Sequence, residues 1–236
     1  MTDRTPEQRV WDDHETLPQG DLQSLQLARL RTTVDRVQSV PFYRKRLERN
    51  GLTPDAIRSL DDLRRLPITT KDDLRTHYPL DLLAVPRRNL ARVHGSSGTT
   101  GKPTFVAYTA GDLDLWANLC ARFLVAGGLR PEHLVQIAFG YGLFTGGFGL
   151  HYGVEKVGAA VVPAAAGNTE RQITLLCDLA ADVLVCTPSY ALTIAEAMHE
   201  RGIAPENLPL AFGHFGGGPR PEDLRHRIQT QLHINA

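Results

Sequence analysis

Leu134-Val135-Gln136-Ile137-Ala138-Phe139-Gly140-Tyr141-Gly142-Leu143-Phe144-Thr145-Gly146-Gly147 decides the fold. The stretch opens as a short apolar run of strand character, breaks at clustered glycines, and hands over to a segment that reads as helix from Gly147 to Val157. Strand, glycine-rich turn and helix in that order begin a parallel β-α-β unit. The alternation continues towards the C-terminus. Ala159 to Val162, Val183 to Cys186 and Leu210 to Phe215 are strand-like, and Thr169 to Leu179, Pro188 to Arg201 and Pro221 to Leu232 are helix-like. Four strands alternating with helices predict an α/β fold with a mostly parallel sheet flanked by helices.

On the N-terminal side, Gly111 to Ala126 reads as helix, and Leu90 to His94 and Phe105 to Thr109 read as two short strands around a Gly/Ser/Thr-rich loop. Before them lies a helical segment. Leu22, Leu25, Leu27, Leu30, Val34 and Val37 recur at helical spacing between Asp21 and Val40, and Pro41 is expected to stop that helix. A shorter helix is expected from Tyr43 to Asn50, turns from Pro54 to Leu60 and around Asp61 to Arg64, and an N-cap at Thr69-Thr70 before Lys71-Asp72-Asp73. The expected division is a helical segment over 1–85 and an α/β domain over 86–236.

A chain of 236 residues with 42% hydrophobic content is long enough for one large core. Lys plus Arg equals Asp plus Glu at 26 each, so no global field favours nucleic acid or an anionic membrane, and a small-molecule partner is expected. Cys120, Cys177 and Cys186 are far apart, odd in number and set in apolar surroundings, which points to a reducing, cytoplasmic setting and to buried thiols rather than disulfides. No apolar run reaches the roughly 18 residues of a membrane span.

The loop Ser96-Ser97-Gly98-Thr99-Thr100-Gly101-Lys102 supplies hydroxyl donors, approachable backbone amides and an ammonium group within seven residues. It is not a nucleotide P-loop. Gly95 and Gly101 are separated by five residues rather than four, and Pro103 follows Lys102 where a magnesium-ligating hydroxyl would stand. Nor is it a dinucleotide fingerprint, since a strand follows it rather than a helix. Composition alone leaves two readings open, a phosphate cradle and a plain hairpin turn.

His94-Gly95-Ser96-Ser97-Gly98-Thr99-Thr100-Gly101-Lys102-Pro103-Thr104 resembles the phosphate-binding loop of the acyl-adenylate-forming enzymes. Leu66-Pro67-Ile68-Thr69-Thr70-Lys71-Asp72-Asp73-Leu74-Arg75, Tyr141-Gly142-Leu143-Phe144-Thr145-Gly146-Gly147 and Thr187-Pro188-Ser189-Tyr190 resemble, in order, motifs of the phenylacetate-CoA ligase branch. The resemblance implies the N-terminal part of a ligase that activates an aryl carboxylate with ATP and passes it to coenzyme A. It implies phosphate binding by Ser96, Ser97, Gly98, Thr99, Thr100, Gly101 and Lys102. It implies an acyl pocket walled by Phe139, Tyr141, Phe144 and Gly146, and an adenine-facing turn at Gly217, Gly218 and Pro219. In this chain Phe139 stands where the family often has Tyr. Gly218 stands where it has Glu, and Arg220 where it has Trp, so the acid accepted and the polar contacts to adenine depart from the family pattern. The resemblance further implies Mg2+ as a companion of ATP, and a homodimer as one possible assembly.

His94 and His151 lack partners at metal-ligand spacing, so both read as structural and no metal site is expected. Ser189 lacks a nucleophile elbow and is expected to cap the following helix. The family's Tyr-Gly-x-[Ser/Thr]-Glu run and its mobile C-terminal domain are not in this sequence, so no complete catalytic set is expected. Two alternatives stay open: a half-ligase serving as a nucleotide- or acid-binding module, and a ligase for another carboxylic acid. Leu232-His233-Ile234-Asn235-Ala236 is expected to begin one more strand.

Overall fold

The computed structural model describes residues 9–96, 103–219 and 221–235. By compactness the chain divides into two units, one of Asp12–Leu113 and one of Asp114–Ala236 joined by the residues up to Trp11.

In the first unit, α1 (Gln19–Val37), α2 (Pro41–Arg49) and α3 (Lys71–Thr76) are joined by short 3-10 turns at Pro54–Ala56 and Leu60–Arg65. Val34, Leu47, Leu52 and Ile57 form its core, with Leu27, Leu30, Val37 and Leu66 around them. Pro41 corrects one expectation. Rather than stopping α1, which ends at Val37, it occupies the first turn of α2, where the missing N–H has no helical partner to lose. Thr70 caps α3 as expected, its side chain and that of Asp73 satisfying each other's backbone amides. The unit also holds a hairpin, β1 (Arg92–Gly95) antiparallel to β2 (Phe105–Tyr108), with Gly95 opposite Phe105.

The second unit is built on a four-stranded parallel sheet. Its strands β3 (Leu134–Ile137), β4 (Ala160–Val162), β5 (Val183–Cys186) and β6 (Phe212–Phe215) lie in the order β4-β3-β5-β6. One face carries α4 (Ala110–Ala126) and α5 (Gly146–Val157), whose Ala121, Leu124 and Val154 pack on Val135, Ile137, Val183 and Val185. The other face carries α6 (Thr169–Asp178), α7 (Pro188–Glu200) and α8 (Glu222–Leu232), packed on Leu184 and Cys186. β5 is buried along its whole length, which is why Val183 to Cys186 reads as an unbroken apolar run. Where a further strand was expected, the described residues show one isolated parallel bridge, Asn235 to Phe212. Of the cysteines, Cys186 is buried, and Cys120 and Cys177 are half-buried.

His214 on β6 faces α4 and is only 7% exposed. Gly127 makes room for it, since a Cβ there would lie 2.1 Å from the imidazole Cε1. Burial pushes the His214 imidazole down to about 4, and its Nε2 has no hydrogen-bond partner. The ring is therefore neutral in the fold, whereas the unfolded chain takes up its proton near pH 6.5. Stability is complete above that value and is lost as pH falls from about 6.5 to about 4. Between pH 7 and pH 5 the loss from this residue is expected to be about 2 kcal/mol. Urea titrations at the two pH values should show it, and His214→Phe should flatten the difference. An unchanged pH slope in that variant would refute the assignment.

Candidate active site

The order β4-β3-β5-β6 means that the chain leaves β3 for one edge of the sheet and leaves β5 for the other. At such a switch point the outgoing loops diverge and open a crevice beyond the carboxyl ends of the strands, where α/β sheets bind ligands. The two loops are Phe139 to Thr145, which leads into α5, and Thr187, which leads into α7. Ala138 N–H donates to the Val185 carbonyl at 2.8 Å, tying the two strand ends together.

The turn after β3 is folded by its glycines. Gly147 donates its N–H to the Gly140 carbonyl at 3.2 Å, and a Cβ at Gly147 would come within 2.9 Å of that same oxygen. Gly146 is looser. A Cβ there would touch Phe139 and Phe144 at 3.6 to 3.7 Å, an ordinary contact. Phe144 is 64% exposed, an unusual position for a large ring, in this glycine-rich turn. On the far side, Gly217 follows β6 with φ +76, a conformation that favours glycine, and its α-carbon faces the Phe139 ring and Thr187 Cγ2. A Cβ at Gly218 would lie 3.8 Å from Pro188. The structure thus brings the expected acyl residues Phe139, Phe144 and Gly146 to the same edge as Gly217 and Gly218 of the expected adenine turn. Pro219 follows directly.

Tyr141 turns back onto α5. Its ring meets Phe148 edge-on at 5.4 Å and His151 at 5.6 Å, and its hydroxyl lies 3.3 Å from His151 Nδ1. His151 Nε2 in turn lies 3.1 Å from Glu155 Oε1. Burial, with the Glu155 carboxylate adding to it, pushes the Tyr141 phenol up to about 12. The hydroxyl therefore stays protonated across the physiological range.

In the first unit, Ser96 stands where the hairpin opens into the glycine-rich loop. Its N–H donates to the Thr104 carbonyl at 3.0 Å, and its hydroxyl oxygen accepts from Thr104 N–H at 3.0 Å and Thr104 Oγ1 at 3.2 Å. Ser97, Gly98, Thr99, Thr100, Gly101 and Lys102 lie outside the described residues, as do Arg220 and Ala236.

Sequence reasoning missed three features. Thr187, not Ser189, caps α7, its Oγ1 accepting from Tyr190 N–H at 3.3 Å; Pro188 at the next position was the signal. The His151–Glu155 pair stands at i, i+4 on one helix face, a spacing readable from sequence. The Gln136–Gln172 contact joins residues 36 apart and had no local signal. Among the described residues, no group of three or more His, Cys, Asp or Glu is placed to hold a metal ion, and no helix is long and apolar enough to cross a membrane.

No family model matches the chain. In fold the chain is similar to solved CoA ligases. A 2-hydroxyisobutyryl-CoA ligase in complex with 2-HIB-AMP and CoA matches with a TM-score of 0.90 and 32% identity over 98% of this chain and 51% of its own. In sequence the chain is similar to phenylacetate-coenzyme A ligases. It is 49% identical to that of Thermus thermophilus over 223 residues, 94% of this chain and 50% of the relative. It is 45% identical to that of Escherichia coli over 227 residues, 95% of this chain and 52% of the relative. The chain spans about half the length of the curated relatives it matches.

Proposed function

We propose that this chain is the N-terminal, ATP- and acid-binding part of a cytoplasmic phenylacetate-CoA ligase. The observation that carries the reading is the seating of Phe139 between Gly146 and Gly217 at the switch point of the sheet. Identities of 44–49% to curated phenylacetate-coenzyme A ligases support the choice of acid.

In the reaction, a carboxylate oxygen attacks the α-phosphorus of ATP and pyrophosphate leaves. The thiolate of coenzyme A then attacks the acyl carbon, and AMP leaves. This chain's share is positioning. Phe139 and Phe144 face a flat aryl group, Gly146 leaves room beside them, and Tyr141 closes the wall behind. Gly217, Gly218 and Pro219 let backbone approach the adenine. Ser96 to Lys102 grip the phosphates, with the Lys102 ammonium opposing their charge. Mg2+ would accompany ATP, and among the described residues no cluster of three or more His, Cys, Asp or Glu is placed to hold it.

Calorimetric titration of the purified chain tests the pocket. Phenylacetate should bind about 10-fold more tightly than hexanoate, and Phe144→Ala should erase most of that preference while leaving ATP binding unchanged, as loss of one aromatic contact predicts. Equal affinity for the two acids would overturn the aryl assignment.

A further inference from the structure

The turn from Phe139 to Gly146 contains three glycines and, between its ends, is tied to α5 by the Gly147-to-Gly140 backbone bond. Glycine-rich backbone has many conformations to lose, so something must select one. Tyr141 is placed to do so, because its ring lies edge-on between Phe148 and His151 on the first turns of α5. The ring fixes where the turn lies, and the hydroxyl fixes its rotation.

The polar atoms form a one-way series. Glu155 is a carboxylate and only accepts, so the hydrogen in the 3.1 Å contact belongs to His151 Nε2. A neutral imidazole then has Nδ1 as its acceptor, and the Tyr141 hydroxyl 3.3 Å away is the donor. Glu155 thereby sets the tautomer of His151, and His151 sets the orientation of the phenol. His151 and Glu155 are one helical turn apart on α5, a rigid element, whereas Tyr141 sits on the turn. The arrangement is a helix-borne post holding a glycine-rich wall.

We propose that Tyr141, His151 and Glu155 form a hydrogen-bonded clasp that positions the Phe139–Gly146 turn for its acid, with His151 and Glu155 acting as positioning residues that touch no substrate. This rests on the acyl-pocket reading above. In that role Tyr141 contributes to the pocket through the shape of the turn rather than through its hydroxyl meeting the acid.

The test uses the whole chain labelled with 15N in its histidines, His151 being assigned by the signal lost in His151→Gln. In mildly alkaline buffer His151 should show the Nε2–H tautomer. Glu155→Gln, whose side-chain carbonyl still accepts, should keep that tautomer and the native affinity for phenylacetate. Glu155→Leu should yield a tautomer mixture, and Glu155→Leu, His151→Phe and Tyr141→Phe should each weaken phenylacetate binding about 10-fold with ATP binding unchanged. A merely structural role would not separate Gln from Leu at position 155 by tautomer. An Nδ1–H tautomer in the native chain, or native affinity in Tyr141→Phe, would overturn the clasp. Failure of the native chain to bind phenylacetate while showing the expected tautomers would overturn the acid assignment and leave the clasp standing.

Discussion

Replacing Gly153 by valine should lower the stability of the chain by about 3 kcal/mol, at the upper end of what overpacking a core costs. Gly149 and Gly153 stand four residues apart on α5, facing Trp116 and Cys120, which are four apart on α4. The two helices meet through this strip. A Cβ at Gly153 would lie 2.6 Å from Cys120 Cβ, 3.1 Å from its carbonyl carbon and 3.2 Å from the Ala121 nitrogen. These are backbone and near-backbone atoms that cannot rotate aside, so the helices themselves must part. Alanine in place of glycine gains roughly 1 kcal/mol of helix propensity, which offsets part of the clash. Valine gains less and adds two further carbons. Urea unfolding of both variants should rank native above Gly153→Ala above Gly153→Val, and a valine variant as stable as the native chain would mean that α4 and α5 do not approach so closely.

Gln172→Leu should cost a comparable amount, about 3 kcal/mol, for a different reason. The Gln172 amide is fully buried and donates to the Ala165 carbonyl at 2.8 Å, while its oxygen accepts from Gln136 Nε2 at 2.7 Å. Leucine fills the space but leaves the half-buried Ala165 carbonyl without its donor and the fully buried Gln136 with one acceptor fewer, the latter loss alone worth about 1–3 kcal/mol. The loop concerned already holds Ala165 at φ 62 and Asn168 at φ 50, conformations that side-chain-bearing residues seldom adopt, so it depends on its anchors. The double variant Gln136→Leu with Gln172→Leu separates the two contributions. It should recover the part owed to Gln136 and keep the part owed to Ala165, a non-additivity of about 1 kcal/mol in a double-mutant cycle. Strict additivity would mean that the two amides do not interact.

The sheet was legible because its signals are local. Val183 to Cys186 is apolar without a break because β5 is buried along its whole length, and Thr187-Pro188 marks where it ends and the next helix begins. The exposure of Phe144 was legible for the opposite reason, a large ring in a glycine-rich turn with no core to enter. The order of the strands was not legible, since β3 and β5 are adjacent only through contacts across 48 or so residues, such as Asp182 Oδ2 accepting from Leu134 N–H. Gly149 and Gly153 also escaped notice, because a helical glycine has a meaning only once the neighbouring helix is placed. Pro41 misled because the same ring that breaks a helix interior suits a helix start, and the spacing upstream could not tell which helix it belonged to.

The backbone bonds that shape the crevice have a wider consequence. Gly147 to Gly140 and Ala138 to Val185 are main-chain contacts, and they survive whatever side chains stand at positions 139 and 144. An exposed ring such as Phe144 can be exchanged at a cost to folding of about 0.5 kcal/mol or less. If the proposed acid-binding role holds, selectivity for the acid can drift across an evolving lineage while the scaffold underneath stays as it is, and a single replacement at the rim can retune one without endangering the other.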